Sequence, residues 1–416
     1  MSSQETLVQA FPDKPTPRVS YGNPFADSCI KHINETFKAS RVYLIASFSL
    51  TKNTSYTSSL QAALGSKLVK TCVGMTPHTL MSEVLEIVDD CRNLEIDCIV
   101  TLGGGSLSDG AKIISFALAN NVHTKEDLYK LPHIGPTTLN LPAKPSRIPI
   151  ICIPTTLSGG EYSVYAGVTN HLTHEKIQFS PPLASPSLII LSGEIACSTP
   201  LEIWLQSGMR GVDHCVETLS SLKSTKEVDQ SVLKSLKCLI SGLLLSKSNA
   251  GRSQEEEASA RLDCQLGIMY AMLFLHRGVD CGASHGIGHM LGPIGKVNHG
   301  QTSCILLPAV CKFNAIHGGV EILERQKVIR DTLWGIPEAR FVFEKRGLIE
   351  EGADLGDLID AVVGELGLKR TLHEVGVGPE MFEKLAEASL RDPFLRTNCV
   401  PIHNKEELLE VLGMCA

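Results

Sequence analysis

The stretch GMRGVDHCVE (208–217) places His214 and Glu217 one helical turn apart. An imidazole and a carboxylate at that spacing are donors a catalytic metal site uses. One turn before His214 stands Arg210, a fixed cation that cannot act as a ligand. Asp213, one residue before His214, is expected to point away from it along the helix. Further on, GASHGIGHMLGPIGKVNHGQ (282–301) carries His285, His289 and His299. His285 and His289 are four residues apart and share a helix face. With His214 they could bring three or four imidazoles together, the usual ligands of zinc or iron(II). A single histidine reads more readily as a structural residue. The cluster, flanked by glycines that allow close backbone approach, is what points to chemistry.

A second set of residues suits a phosphate. In TLGGGSLSDGAKI (101–113), Gly103, Gly104 and Gly105 follow a buried apolar run and precede a helical pattern. Glycines let the backbone approach a pyrophosphate, and helix N-terminal amides bind its charge. Ser106 adds a hydroxyl, and Asp109 is placed to cap or begin the helix. The spacing is not G-x-G-x-x-G, so by itself it also suits a tight turn without a ligand. A second polar turn, IPTTLSGGEYS (153–163), supplies Thr155, Thr156 and Ser158 after another apolar run. Two such turns at strand ends are what a dinucleotide crevice in an open sheet requires. RVYLIASFSLTKN (41–53) has no acidic residue at its end; it offers Ser47, Ser49 and Lys52. An acid there would bind the ribose of NAD and repel a 2′-phosphate, so NADPH is expected to bind at least as well as NADH.

The elements that must carry these residues divide into two rhythms. Up to about residue 190, strand-like runs (41–47, 97–102, 148–154, 187–192) alternate with helical patterns (80–93, 109–120), which predicts a parallel, doubly wound α/β sheet. From 201 onward the patterns are helical: 201–222, 228–247, 254–276, 283–291, 303–316, 321–334, 354–366, 379–391 and 404–413. The division is a dinucleotide-binding α/β domain, 1–192, and an all-helical domain, 193–416, carrying the histidines. The chain is 43% hydrophobic and 20% charged with a net charge of −7, which gives no reason to expect a nucleic-acid or membrane partner. Its 14 cysteines form no C-x-x-C pair and sit singly in apolar surroundings, as reduced thiols of a cytoplasmic protein do. No apolar run suits a signal peptide or a membrane span.

Taken together, GGGSLSDGAK, IPTTLSGGE and HGIGHMLGPIGKVNHGQTSCILLPAVCKFN (285–314) resemble the iron-containing (group III) alcohol dehydrogenase family, almost end to end. The resemblance implies a Rossmann-like domain, a helical domain, an active site in the cleft, NADH or NADPH as cofactor, and a homodimer or larger assembly. It implies cofactor contacts at Gly103, Gly104, Gly105, Ser106, Asp109, Thr155, Thr156, Ser158 and Ser47. The family holds iron or zinc with one Asp and three His. The histidines fall on His214, His285 and His299, and His289 on an extra histidine near the nicotinamide. The Asp position is Arg210. The family's maleylacetate reductase branch also lacks that Asp and shares HCVE (214–217). A guanidinium about 4 Å from a divalent ion repels it by roughly 8 kcal/mol at an effective dielectric near 20. The expectation is therefore a metal-independent reductase of a carbonyl or activated C=C in a small molecule, with Arg210, His289 and His285 as the catalytic groups. A metal-dependent alcohol dehydrogenase with a three-histidine site is one alternative. A cyclase or isomerase on the same scaffold, or a pseudoenzyme partner, is another.

Overall fold

The structure, a computed structural model, describes all residues except 1–3, 78, 135–140, 171, 174–175 and 249–250, and the side chain of His299. The chain forms two compact units, Met1–Thr199 and Pro200–Ala416. Among the described residues no helix is long and apolar enough to cross a membrane.

The first unit contains strands β1 (Thr6–Gln9), β2 (Arg18–Tyr21), β3 (Val42–Ala46), β4 (Leu68–Val73), β5 (Cys98–Gly103), β6 (His133–Ile134), β7 (Ile150–Pro154), β8 (Ala166–Thr169), β9 (Lys176–Phe179) and β10 (Leu188–Ile190). Seven form one sheet in the order β1-β2-β10-β7-β5-β3-β4; β6, β9 and β8 form a small second one. In the large sheet only β1 and β2 pair antiparallel. Strands β3, β5 and β7 are buried at every position, as strands covered on both faces must be. The helix Met81–Asn93 packs Met81, Val84, Ile87, Val88 and Cys91 inward on the predicted stripe. From β3 the chain winds out to β4 at the edge, then returns to β5 on the other side of β3. The winding therefore reverses between β3 and β5, the topological switch point where open α/β sheets bind ligands.

Two features depart from the sequence expectation. The helix after β5 runs Gly105–Ala119, so it begins four residues before Asp109, and Asp109 caps nothing. The glycines themselves form its start, because Gly104 takes the extended cap conformation. The β1–β2 hairpin, β4 and the small sheet were not anticipated; they are short and only partly buried, so they carry no continuous apolar run.

In the second unit no described residue is in a strand. Helices Leu201–Ser220, Ala283–Gly295 and His299–His317 carry the histidine cluster. The 254–276 pattern breaks at Met272 into two helices, and Pro337–Lys345 is a further helix. Ile287 and Leu291 of one histidine helix join Leu306, Val310 and Phe313 of the next and Leu385, Leu408 and Leu412 of the C-terminal helices in one core. Each such side chain contributes roughly 2 kcal/mol on full burial. That core fixes the polar faces of the same helices.

Candidate active site

In the first unit the parallel register places three strand ends side by side. The Ser47 amide donates to the Leu102 carbonyl (2.9 Å), and the Thr155 amide donates to the Gly103 carbonyl (3.1 Å). Ser47, the Gly103–Ser106 turn and the Thr155–Ser158 turn thus line one edge across the switch point. A Cβ on Gly103 would lie 2.8 Å from Leu107 and 3.0 Å from Ser47, and its φ of +156° sits at the limit of the region favouring glycine. A Cβ on Gly105 would lie 2.5 Å from Ser158 Oγ, so the two turns touch. The Gly105–Ala119 helix has no side-chain N-cap, which leaves its first-turn amides to an anion. This cradle fits a dinucleotide pyrophosphate. Asp109 serves the scaffold instead: it pairs with the fully buried Lys112 (2.9 Å) and accepts the Gly167 amide (3.2 Å). Lys112 Nζ donates to the Gly160 and Tyr165 carbonyls (2.8 and 2.6 Å), tying the second turn to the helix of the first.

Beneath that turn lies Glu161, buried, with Oε2 lacking a hydrogen-bond partner. Burial, only partly offset by Lys112, pushes its carboxyl up to about 7. The folded state therefore holds the proton more tightly than the unfolded one. The site favours folding at low pH, and that contribution is lost as pH rises from the ordinary carboxyl range through about 7. Glu161→Gln should gain stability relative to wild type as pH rises from 4 to 8, read from unfolding midpoints; a constant difference across that range would refute the assignment.

In the second unit Arg210, Asp213, His214 and Glu217 form an i, i+3, i+4, i+7 stripe on Leu201–Ser220. Asp213 does not point away. It is fully buried at the centre of the cluster, a correction to the sequence expectation. Its Oδ2 accepts Ser303 Oγ (2.5 Å) and Ser284 Oγ (3.1 Å), and lies 3.3 Å from His285 Nδ1 and 3.9 Å from Arg210 Nη1. Glu217 caps the Ala283–Gly295 helix from outside: it accepts the amides of Gly282 (2.8 Å), Ser284 (2.8 Å) and His285 (3.3 Å). Asn398 accepts the Ala283 amide (3.2 Å). A carboxylate against a helix N-terminus is favourable, and here it clamps the start of the histidine helix. Gly282 permits this contact; a Cβ there would meet Asn398 Oδ1 at 2.7 Å and Glu217 Oε1 at 3.0 Å.

The imidazoles differ in state. His214 lies between Phe274 (ring centroids 5.1 Å) and His285 (4.3 Å). Burial, then His285, Arg210 and His289, hold its conjugate acid far below the usual range, so it is neutral. For His285, burial and Arg210 oppose charge, but Asp213 and Glu217 prevail and raise it. Its Nδ1 is 2.7 Å from Glu217 Oε2, yet neither buried ring nitrogen makes a hydrogen bond among the described residues. His289, 35% exposed at its side chain, bonds through Nδ1 to Asp392 Oδ2 (2.8 Å). Burial lowers it, Asp392 notwithstanding, and Arg210 adds to the lowering. Arg210 is 14% exposed and donates only to Ser303 Oγ (3.4 Å) among the described residues. His299 begins the His299–His317 helix, but its side chain lies outside the described residues.

Donor atoms of His214, Cys281 and His285 lie within 4.8 Å of one another, as do those of Asp213, Glu217 and His285. Glu217 already accepts three amides, and Asp213 Oδ2 accepts two hydroxyls, while Asp213 Oδ1 and both ring nitrogens of His285 are buried without a hydrogen-bond partner among the described residues. Burial raises the Cys281 thiol well above its usual range, so it is protonated. The Arg210 charge, moreover, reaches His214, His285 and His289.

Comparison with known proteins bears on the whole chain. The profile "Iron-containing alcohol dehydrogenase" matches residues 20–192, and "Fe-containing alcohol dehydrogenase family, C-terminal" matches 204–414. The chain belongs to the iron-containing alcohol dehydrogenase family. As a member it is an NAD(P)-dependent oxidoreductase. It is 34% identical to the dehydrogenase FUM7 of Gibberella moniliformis over 414 residues, covering 96% of each chain. It is 33% identical to the dehydrogenase ALT3 of Alternaria alternata over 395 residues, covering 90% of this chain and 99% of that one. Among solved structures, the sulfoacetaldehyde reductase of Bifidobacterium kashiwanohense in complex with NAD+ superimposes with a TM-score of 0.77 at 19% identity over 96% of both chains. The maleylacetate reductase of a Rhizobium species does so with a TM-score of 0.71 at 21% identity over 95% of both. At these identities the likeness is one of fold.

Sequence reasoning missed Asp392, Asn398, Ser284 and Ser303. Asp392 lies 103 residues from His289, and no local signal links the two. Ser284 precedes His285 in the first turn of its helix, where a polar residue ordinarily reads as capping.

Proposed function

We propose that the chain is an NAD(P)H-dependent reductase of a carbonyl or activated C=C, similar to maleylacetate reductases, that works without a bound metal ion. The observation that carries this reading is Arg210. It stands at the position the family gives to a metal-binding carboxylate, with a single hydrogen bond among the described residues, to Ser303, and within electrostatic reach of His214, His285 and His289. NAD(P)H, when bound at Gly103–Ser106, Thr155–Ser158 and Ser47, supplies the hydride. Arg210 then offers charge-assisted donors to the oxygen on which negative charge develops, the task a Lewis-acid metal performs elsewhere. Buried His285 and the Asp392-oriented His289 are the imidazoles that would share that charge and carry the proton. The same reading places the protein in the cytoplasm as a homodimer acting on a small molecule.

The second reading, a metal-dependent alcohol dehydrogenase, draws on the proximity of His214, Cys281 and His285 donors. Oxidation of NADPH with maleylacetate, and with lactaldehyde as a simple aldehyde, before and after exhaustive chelation, separates the two. Turnover that survives chelation supports the first reading; turnover lost to the chelator and restored by iron(II) or zinc supports the second.

Cofactor choice belongs to the same reading. Ser47 Oγ and Ser49 Oγ lie 3.1 Å apart beyond β3, with Lys52 one turn on and no acid at the strand end. NADPH should bind at least as tightly as NADH, measured by fluorescence titration. A dissociation constant for NADH more than about tenfold tighter, roughly 1.4 kcal/mol, would sink this.

A further inference from the structure

Arg210 is largely withdrawn from water, 14% exposed, and a guanidinium so placed is unfavourable unless a counter-charge lies close. The nearest carboxylate is Asp213, one turn along the same helix and fully buried. The two are joined through a hydroxyl. Ser303 Oγ gives its only proton to Asp213 Oδ2 at 2.5 Å, which leaves a lone pair to accept Arg210 Nη1 at 3.4 Å. Ser284 Oγ, from another helix, gives a second hydroxyl proton to the same carboxylate oxygen. Asp213 is thus held from the Ala283–Gly295 and His299–His317 helices while it faces both Arg210 and His285 Nδ1.

We infer that Asp213 is a positioning residue that acts with Arg210 as one hydroxyl-bridged ion pair, fixing both the guanidinium and the Nε2 edge of His285 toward the reacting group. Nη1 is directed to Ser303, and no described residue accepts a hydrogen bond from the remaining guanidinium donors. His285 Nδ1 lies 3.3 Å from Asp213 Oδ2 and 2.7 Å from Glu217 Oε2, so the two carboxylates favour the ring orientation that keeps Nδ1 between them. The carboxylate one turn from Arg210 therefore has two effects. It makes the partly buried cation tolerable, and it aims the cation and an imidazole at the substrate.

The inference rests on the metal-free reading above, and a double-mutant cycle separates the two. The variants are Arg210→Met, Asp213→Asn and the double, each assayed for thermal unfolding, NADPH affinity and maleylacetate reduction. Arg210→Met leaves the buried Asp213 charge unmatched and Asp213→Asn leaves the partly buried Arg210 unmatched, whereas the double removes both. Both singles should therefore melt lower than wild type, and the double should melt above Asp213→Asn by about 3 °C or more. Asp213→Asn should lower kcat by roughly tenfold to a hundredfold with NADPH affinity unchanged, and the double should lose no more than the worse single. Ser303→Ala, which keeps both charges, should show a smaller loss of kcat in the same direction. If the melting shifts add, or the losses in kcat multiply, the pair is not a unit and the inference falls. Unchanged kcat in Asp213→Asn despite a lower melting point would reduce Asp213 to a structural residue. Normal turnover in Arg210→Met without added metal would remove Arg210 from the chemistry and overturn the reading built on it. Should maleylacetate not be reduced by wild type, the melting cycle alone still decides the pairing.

Discussion

Arg210→Ala is expected to lower turnover by roughly 10²–10³, the scale for removing one preorganised donor from a developing oxyanion. The loss should fall on kcat, because a group that meets charge only as it develops contributes little to ground-state binding. Iron(II) or zinc should not rescue the variant, since alanine restores no ligand. Arg210→Asp goes further. It would rebuild a carboxylate at the family's metal position beside His214 and His285, and set it one turn from the buried Asp213. Two carboxylates so placed repel each other without a cation between them, so this variant should bind a divalent ion much more tightly than wild type and lose the native reaction. Equal turnover in wild type and Arg210→Ala, without added metal, would remove Arg210 from the chemistry.

Gly104→Val should weaken NADPH binding by a hundredfold or more, on the order of 3 kcal/mol, while the fold survives. The three glycines are not equivalent. A Cβ at Gly103 or Gly105 would collide with Leu107 or Ser158, whereas at Gly104 it meets Thr156 at 3.4 Å, an ordinary contact. The backbone there is extended, with φ −82°, which a β-branched residue adopts readily. Valine would therefore be tolerated by the fold, but its methyl groups would enter the gap between the two turns where phosphate oxygens must lie. Circular dichroism and melting should match wild type while fluorescence titration loses the cofactor. Normal NADPH affinity in this variant would place the cofactor elsewhere.

Much of this arrangement was legible in the sequence because it is local. A glycine run between an apolar strand and a helix reads as a phosphate turn, and histidines four residues apart read as one helix face. The strand order was not legible. That Ser47, Gly103 and Thr155 are neighbours follows from β3, β5 and β7 lying side by side, which only the assembled sheet displays. The Asp213 error has a simple source. Judged against its neighbour His214, it lies about 100° round the helix. Judged against Arg210 and Glu217, it lies on the same stripe. Asp109 erred the other way: its place in the motif suggests a cap, but the helix had begun at Gly105, and its carboxylate was taken by a buried lysine. The partners of His285 and His289 come from helix packing across the second unit, and no window of sequence contains them.

The most direct test of the central claim is the metal content of the protein as purified, measured by plasma mass spectrometry on wild type and on Arg210→Asp, with NADPH-linked turnover of the same samples. Wild type should carry far less than one iron or zinc per chain with turnover indifferent to chelators, and the Asp variant about one divalent ion per chain. One tightly bound divalent ion per wild-type chain, whose removal abolishes turnover and whose return restores it, would show a metal-dependent enzyme with Arg210 a bystander.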